Sequence, residues 1–213
     1  MAHAFRRRPD GSVVCRLEAE EKAIIAQVAQ ETADLIRMDL GLESGGASVR
    51  RAATSEDPLE RLEAEFAVRD AREPSDSAVR KLFPSASEDP VLAEEFRRLG
   101  QQDLAEQRIA ELKRLMALLD ASGPSRSEVA LDDDDVPDVL RAVNDVRIVL
   151  ADRLGLERDG DLDTLRMLQQ ISERVEDADA MNEPDDQHAG GDVVIAVYDL
   201  LTWLQESLLR AID

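Results

Sequence analysis

"VALDDDDVPDVLRAVNDVRIVLADRLGL", Val129–Leu156, reads as a strand end, an acidic cap, an amphipathic helix and a Leu-Gly-Leu stop. The run Asp132–Asp135 opens the helix, where unpaired backbone N–H groups favour negative charge, and Pro137 fits the first turn. Gly155 suits the left-handed residue that closes many helices. Without a gap, "CRLEAEEKAIIAQVAQETADLIRMDLGL", Cys15–Leu42, lies over this stretch: Cys15 falls on Val129, Leu17 on Leu131 and Gly41 on Gly155. The match reflects either an ancestral duplication or two strand-to-helix units that obey the same capping rules. In either case Ser127–Leu131 becomes a candidate third strand beside the N-terminal hairpin.

That hairpin is read from "FRRRPDGSVVCRL", Phe5–Leu17. Pro9-Asp10-Gly11 suits a type I turn followed by a left-handed glycine. The register then sets Phe5 opposite Cys15. Val13, Cys15 and Leu17 share one face with Phe5, and Arg6, Arg8, Val14 and Arg16 share the other.

Beyond residues 1–17 the pattern is helical. A helix is expected from about Glu18 to Leu40, then a loop over 41–57, a shorter helix from Pro58 to about Asp70, and a brief turn packing Val79, Leu82 and Phe83. Pro90–Leu119 is strongly helical, but its apolar stripe changes phase: Leu92, Phe96 and Leu99 lie almost opposite Leu104, Leu112, Leu115 and Leu119. The change at Gly100 predicts two helices or a sharp kink. A further helix is expected from Asp161 to about Asp177, an acidic loop over 176–191, and a last helix from Asp192 to Ile212. Val193, Val197, Leu200, Leu201, Leu204, Leu208 and Ala211 give that last helix a wide apolar arc and a central place in the core. The whole chain, 1–213, reads as one mostly α domain: a helical core with an N-terminal β-hairpin and a candidate third short strand in a small antiparallel sheet.

Composition narrows the chemistry. Aromatic residues make up only 3% against 43% hydrophobic residues, which favours helix-on-helix packing of Leu, Val, Ile and Ala. With 26 Lys and Arg against 47 Asp and Glu, the net charge is −21. Such a body repels phosphate backbones, so direct DNA binding is not expected, and it favours a basic protein partner. The first sixteen residues are the exception, with Arg6, Arg7, Arg8 and Arg16 against Asp10 alone. No signal-peptide core and no membrane-length apolar run is evident, which points to the cytoplasm.

Catalysis has little support. No phosphate-binding glycine loop, no His-Glu-x-x-His and no histidine beside a nucleophile motif is present, so no enzyme activity, metal or cofactor is expected. Asp159, Asp161 and Asp163 lack the turn glycine and terminal glutamate of a calcium loop and read as helix caps. Cys15 is the single cysteine. Arg6, Arg8 and Arg16 would favour its thiolate and a redox role, whereas the Val13, Cys15, Leu17 alternation favours a small core residue.

On the helix that follows Asp135, Val139, Leu140, Val143, Val146, Leu150 and Leu154 centre one face. Arg147 falls inside that face with Asn144 one turn back, and Asp145 projects away. A buried guanidinium needs acceptors, and Glu206 on the last helix is the expected partner in a structural polar tie of Asn144, Arg147 and Glu206. Trp203, near Asp199, Glu206 and Arg210, either covers the core or anchors an interface.

Four segments together, "VVCRLEAEEKAII", "SDSAVRKLFPSASEDPVLAEEFRRLGQQDL", "LDDDDVPDVLRAVNDVRIVLADRLGL" and "AVYDLLTWLQESLLRAI", resemble the actinomycete oxidative stress regulator family (AosR), long described as an actinobacterial domain of unknown function. The Asn-Asp-x-Arg and Trp-Leu-Gln-Glu-Ser words carry the likeness. It implies a cytoplasmic, non-enzymatic transcription regulator that cooperates with an extracytoplasmic-function sigma factor. This chain departs in having one cysteine, so an intramolecular disulfide switch is unavailable to it, and a redox response would need sulfenylation, a mixed disulfide or a Cys15–Cys15 dimer. The competing expectation is a structural or adaptor homodimer without redox function, with the last helix or Trp203 at its interface.

Overall fold

Gly11 takes a φ of +90°, as a left-handed turn residue must. The Arg8 N–H donates to the Ser12 carbonyl at 2.8 Å and the Gly11 N–H to the Arg8 carbonyl at 3.0 Å, closing the turn read from Pro9-Asp10-Gly11. It joins β1 (His3–Arg7) to β2 (Val13–Arg16) in a computed structural model that describes residues 3–42, 71–121, 127–158, 160–167 and 186–213. Arg7 faces Val13 and Arg6 faces Val14, but His3 faces Arg16, so the register slips by one residue between His3 and Arg6. The slip falls where Phe5 was expected opposite Cys15. Both side chains nonetheless line the same small apolar cavity, which confirms the shared face.

Helix α1 (Ala19–Asp39) starts from a reciprocal cap between Glu18 and Glu21 and stops before Gly41, whose φ is +65°. Helix α2 (Ser77–Leu82) is capped by Asp76, which accepts from Ala78 N at 2.8 Å, and buries Val79, Leu82 and Phe83 as expected. Helix α3 (Pro90–Ala121) is one continuous helix, so of the two expectations for Gly100, two helices or a sharp kink, the first is not met. Gly100 stays helical, and the phase change is met differently: Leu92, Phe96 and Leu99 remain 52%, 53% and 61% exposed, while Leu112, Leu115 and Leu119 are buried. β3 (Glu128–Leu131) forms as the third strand, and helix α4 (Asp135–Arg153) follows it.

Residues 161–167 are helical as well. The last helix, α5 (Asp186–Ile212), begins earlier than Asp192 and takes in the end of the expected acidic loop. Its core residues are Val197, Leu201, Leu204 and Leu208, and Val193 is exposed. The expected helix at 58–70, all but the first two residues of the 41–57 loop, the 168–177 part of the Asp161 helix and the 176–185 part of the acidic loop lie outside the described residues.

The sheet is antiparallel in the order β1-β2-β3. Val13, Cys15, Leu17, Val129 and Leu131 point to the helices and are buried. Alternating side chains make such a sheet amphipathic, and burying the apolar face drives its docking. α3 packs along both α1 and α4, and α5 packs on α4 and on β1. The two strand-to-helix units repeat in detail. Cys15 pairs directly with Val129, so the two units are related by a local two-fold at the centre of the β2–β3 ladder. The Glu18 N–H donates to Glu21 at 2.8 Å and the Asp132 N–H to Asp135 at 3.3 Å, the same bond at equivalent positions, although α4 starts two residues later in its unit than α1 does. Both helices end alike: Gly41 N donates to Met38 O and Gly155 N to Asp152 O, and φ is +65° and +69°.

Candidate functional site

Helix α4 carries polar residues on two buried sides because α5 covers one and α3 the other. On the α5 side Arg147 is fixed by Thr202 Oγ1 at 3.0 Å, Gln205 Oε1 at 2.5 Å and Tyr198 OH at 3.4 Å, with its guanidinium 5.3 Å from the centre of the Tyr198 ring. The tie to the last helix exists as expected, but Glu206 is not its acceptor. Tyr198, Thr202 and Gln205 recur every three or four residues and form one stripe of α5 facing Arg147. Glu206 lies beside that stripe, exposed, and pairs with Arg210 at 3.0 Å. Asn144 is half-buried and takes no part in the bonds of Arg147.

On the α3 side the expectation for Asp145 is overturned. Its side chain is 1% exposed and pairs with Arg108, which also lies over the Phe83 ring at 5.5 Å. Two further ion pairs continue the line: Arg141 with Glu111 at 2.6 Å, and Arg114 with Asp135 at 2.6 Å. All three carboxylates are nearly buried, whereas Arg114 and Arg141 reach outward to the rim, so their alkyl stems cover apolar surface while the charged ends stay hydrated; Arg108 is more enclosed. Burial raises the carboxyl of Asp145 above its usual range even though the Arg108 guanidinium opposes the shift. Its Oδ2 has no hydrogen bond among the described residues. A sequence signal for this ladder was present. Arg108, Glu111 and Arg114, three apart, read in reverse against Asp145, Arg141 and Asp135, which is the charge pattern of two antiparallel neighbouring helices.

Cys15 is 2% exposed, and burial, helped by the nearby negative charges of Glu128 and Glu21, pushes its thiol up to about 12. Arg6, Arg8 and Arg16 do not offset this, because they sit on the opposite face of the sheet, where Arg8 pairs with Glu128 at 2.7 Å, and Arg7, opposite Val13 at the end of the ladder, is paired with Asp133 at 3.0 Å. Cys15 is a core residue beside an apolar cavity of about 30 Å³ lined also by Phe5, Leu17, Leu115, Val129 and Leu208. A neutral thiol there is a poor nucleophile.

Trp203 is half-buried and packs on the core. Asp199 pairs with Arg166 at 2.5 Å, a contact that ties residues 161–167 to α5. Asp161 caps its own segment by accepting from the N–H groups of Glu157 and Arg158, both at 2.8 Å, and Asp159 lies outside the described residues. Among the described residues no group of three or more His, Cys, Asp or Glu is placed to hold a metal ion, and no helix is long and apolar enough to cross a membrane.

The outer face of the sheet runs from the arginines of β1 to Glu128 on β3 and the exposed Asp132, Asp133 and Asp134 that follow. No curated protein and no solved structure matches the chain. Residues 2–212 match the family model described as a domain of unknown function, DUF2017, and the chain belongs to that family.

Proposed function

We propose that this protein is a non-enzymatic, cytoplasmic regulator of the oxidative stress response that docks on a basic surface of a sigma factor or of RNA polymerase. The observation that carries the reading is the charge of −21. Several of the cations are already committed to the protein's own carboxylates, among them Arg7, Arg8, Arg98, Arg153 and Arg166. What remains for a partner is acid, which repels a phosphate backbone and steers a basic protein surface into contact. The resemblance to regulators of oxidative stress supplies the process. The buried thiol of Cys15 supports a reading in which no sensing step runs through it in this conformation.

The test is affinity capture of the tagged protein from its native host, with and without peroxide, at low and high salt. A sigma factor or polymerase subunit retained at low salt and released at high salt is the expected result. Tight promoter binding by the purified protein alone would contradict the reading. A structural or adaptor homodimer is the second reading, favoured by the exposed row Val91, Leu92, Phe96 and Leu99 on α3 rather than by the half-buried Trp203. A solution mass of one chain at micromolar concentration removes it.

A further inference from the structure

β3 is an outer strand of the sheet, and antiparallel pairing decides which of its backbone groups face away from β2. The Leu17 N–H donates to the Ser127 carbonyl at 2.7 Å, and the same register runs unbroken to Val13 opposite Leu131. Hydrogen-bonded pairs therefore fall at Leu17–Ser127, Cys15–Val129 and Val13–Leu131, and the alternation of the ladder turns the N–H and C=O groups of Glu128 and Ala130 outward. Among the described residues these outward groups have no partner. The edge ends at Asp132, whose N–H is taken by the Asp135 cap.

The repeat gives this edge a counterpart. The equivalents of Glu128 and Ala130 are Val14 and Arg16, which face Arg6 and His3 of β1. The local two-fold that exchanges β2 with β3 carries β1 to a place beside β3 that no described strand fills. The opposite edge of the sheet is met by α5, where Ser207 Oγ accepts from Phe5 N at 3.4 Å.

We propose that the free edge of β3 receives an extended, basic segment of a partner protein as a fourth strand, antiparallel to β3. Strand addition of this kind takes its affinity from backbone hydrogen bonds and its selectivity from alternate side chains. A charged residue on an edge deters uncontrolled pairing, a role that suits Glu128, held by Arg8 at 2.7 Å, while the exposed Asp132 and Asp134 at the end of the strand favour a basic segment. Arg8 and Arg7 already reach from the β1 side to Glu128 and Asp133, and Asp132 and Asp134 stay exposed beside them. A second copy of this chain would bring another charge of −21 to the same edge, which disfavours it as the occupant. The inference rests on the reading that the protein docks on a basic partner and names where that partner enters.

The test is titration of the isotopically labelled full chain with a synthetic peptide AHAFRRR, copied from residues 2–8, with amide shifts followed by NMR. Saturable shifts centred on Glu128–Leu131 are expected. A peptide of equal charge, N-methylated at alternate residues, should bind at least about ten-fold more weakly, since it loses one or two backbone hydrogen bonds. Ala130→Pro should weaken the unmodified peptide in the same way, because its N–H faces out and proline is tolerated there. Equal binding of the two peptides, or shifts centred elsewhere, overturns the inference without calling on the variant. If the native partner is captured equally by the Ala130→Pro protein, the docking reading stands and the edge inference fails. If no basic partner is captured, the docking reading fails and the peptide titration still decides the edge.

Discussion

The two strand-to-helix units, β2–α1 and β3–α4, share a bond at the helix start and a glycine stop yet differ in what surrounds them. β2 lies between two strands, whereas β3 has one neighbour among the described residues. α4 carries buried carboxylates to α3 and a guanidinium to α5, and the inward face of α1 is built mainly from Ile25, Ala29, Ala33 and Ile36. One local grammar thus serves two environments. The difference lies in residues that contact distant parts of the chain.

The largest expected effect breaks the ladder of the second unit. Arg108→Ala leaves Asp145 buried without its counter-charge and should cost about 3–5 kcal/mol in denaturant titrations at neutral pH. The raised carboxyl of Asp145 sets the sign with pH. The folded state holds its proton more tightly than the unfolded state does, so this group's contribution is fully present below the unfolded carboxylate value and is lost as pH rises through the folded one. Removing Arg108 raises the folded value further, so the variant's deficit should shrink as pH falls. Replacing Arg108 and Asp145 together by leucine should restore most of the loss.

The centre of the two-fold gives the next effect. Cys15→Ser places a hydroxyl in an apolar site and should cost about 1–3 kcal/mol, whereas Cys15→Val makes the central pair Val–Val and should change stability by less than about 1 kcal/mol. A large loss in the valine variant would show that the thiol makes an interaction its packing does not reveal. At the stops the units should behave alike. Gly41→Ala and Gly155→Ala each force a side chain into left-handed backbone and should each cost about 1 kcal/mol. Unequal losses would weaken the equivalence of the units. The smallest effect is at Glu206. Its exposed pair with Arg210 contributes little, so Glu206→Lys should leave the melting temperature within about a degree or two, in line with a change under about 0.5 kcal/mol.

What could be read in the sequence was local. The glycine turn, both acidic caps and the Leu-Gly-Leu stops are each decided by residues within a few positions, and all formed. The hairpin face was read correctly although a bulge moved His3, because side-chain alternation at Val13, Cys15 and Leu17 survives a slip on the neighbouring strand. Asp145 was misplaced because a helical wheel with one apolar arc assumes one buried side, and α4 has two. Its partner Arg108 is 37 residues away on α3. Glu206 lies one position from the acceptor Gln205, and three neutral acceptors on α5 suffice for the guanidinium of Arg147. In α3 the shift of the apolar stripe was real, but nothing forced the helix to break at Gly100, and Leu92, Phe96 and Leu99 stayed in solvent.

Amide hydrogen exchange on the full chain tests the contrast between the two units most directly. Val14 and Arg16 should be protected by β1, and Cys15 and Val129 by each other, while Glu128 and Ala130 should exchange as fast as open-edge amides. Slow exchange at Glu128 and Ala130 in the isolated protein would contradict the account, because it would mean that the edge of β3 is already covered.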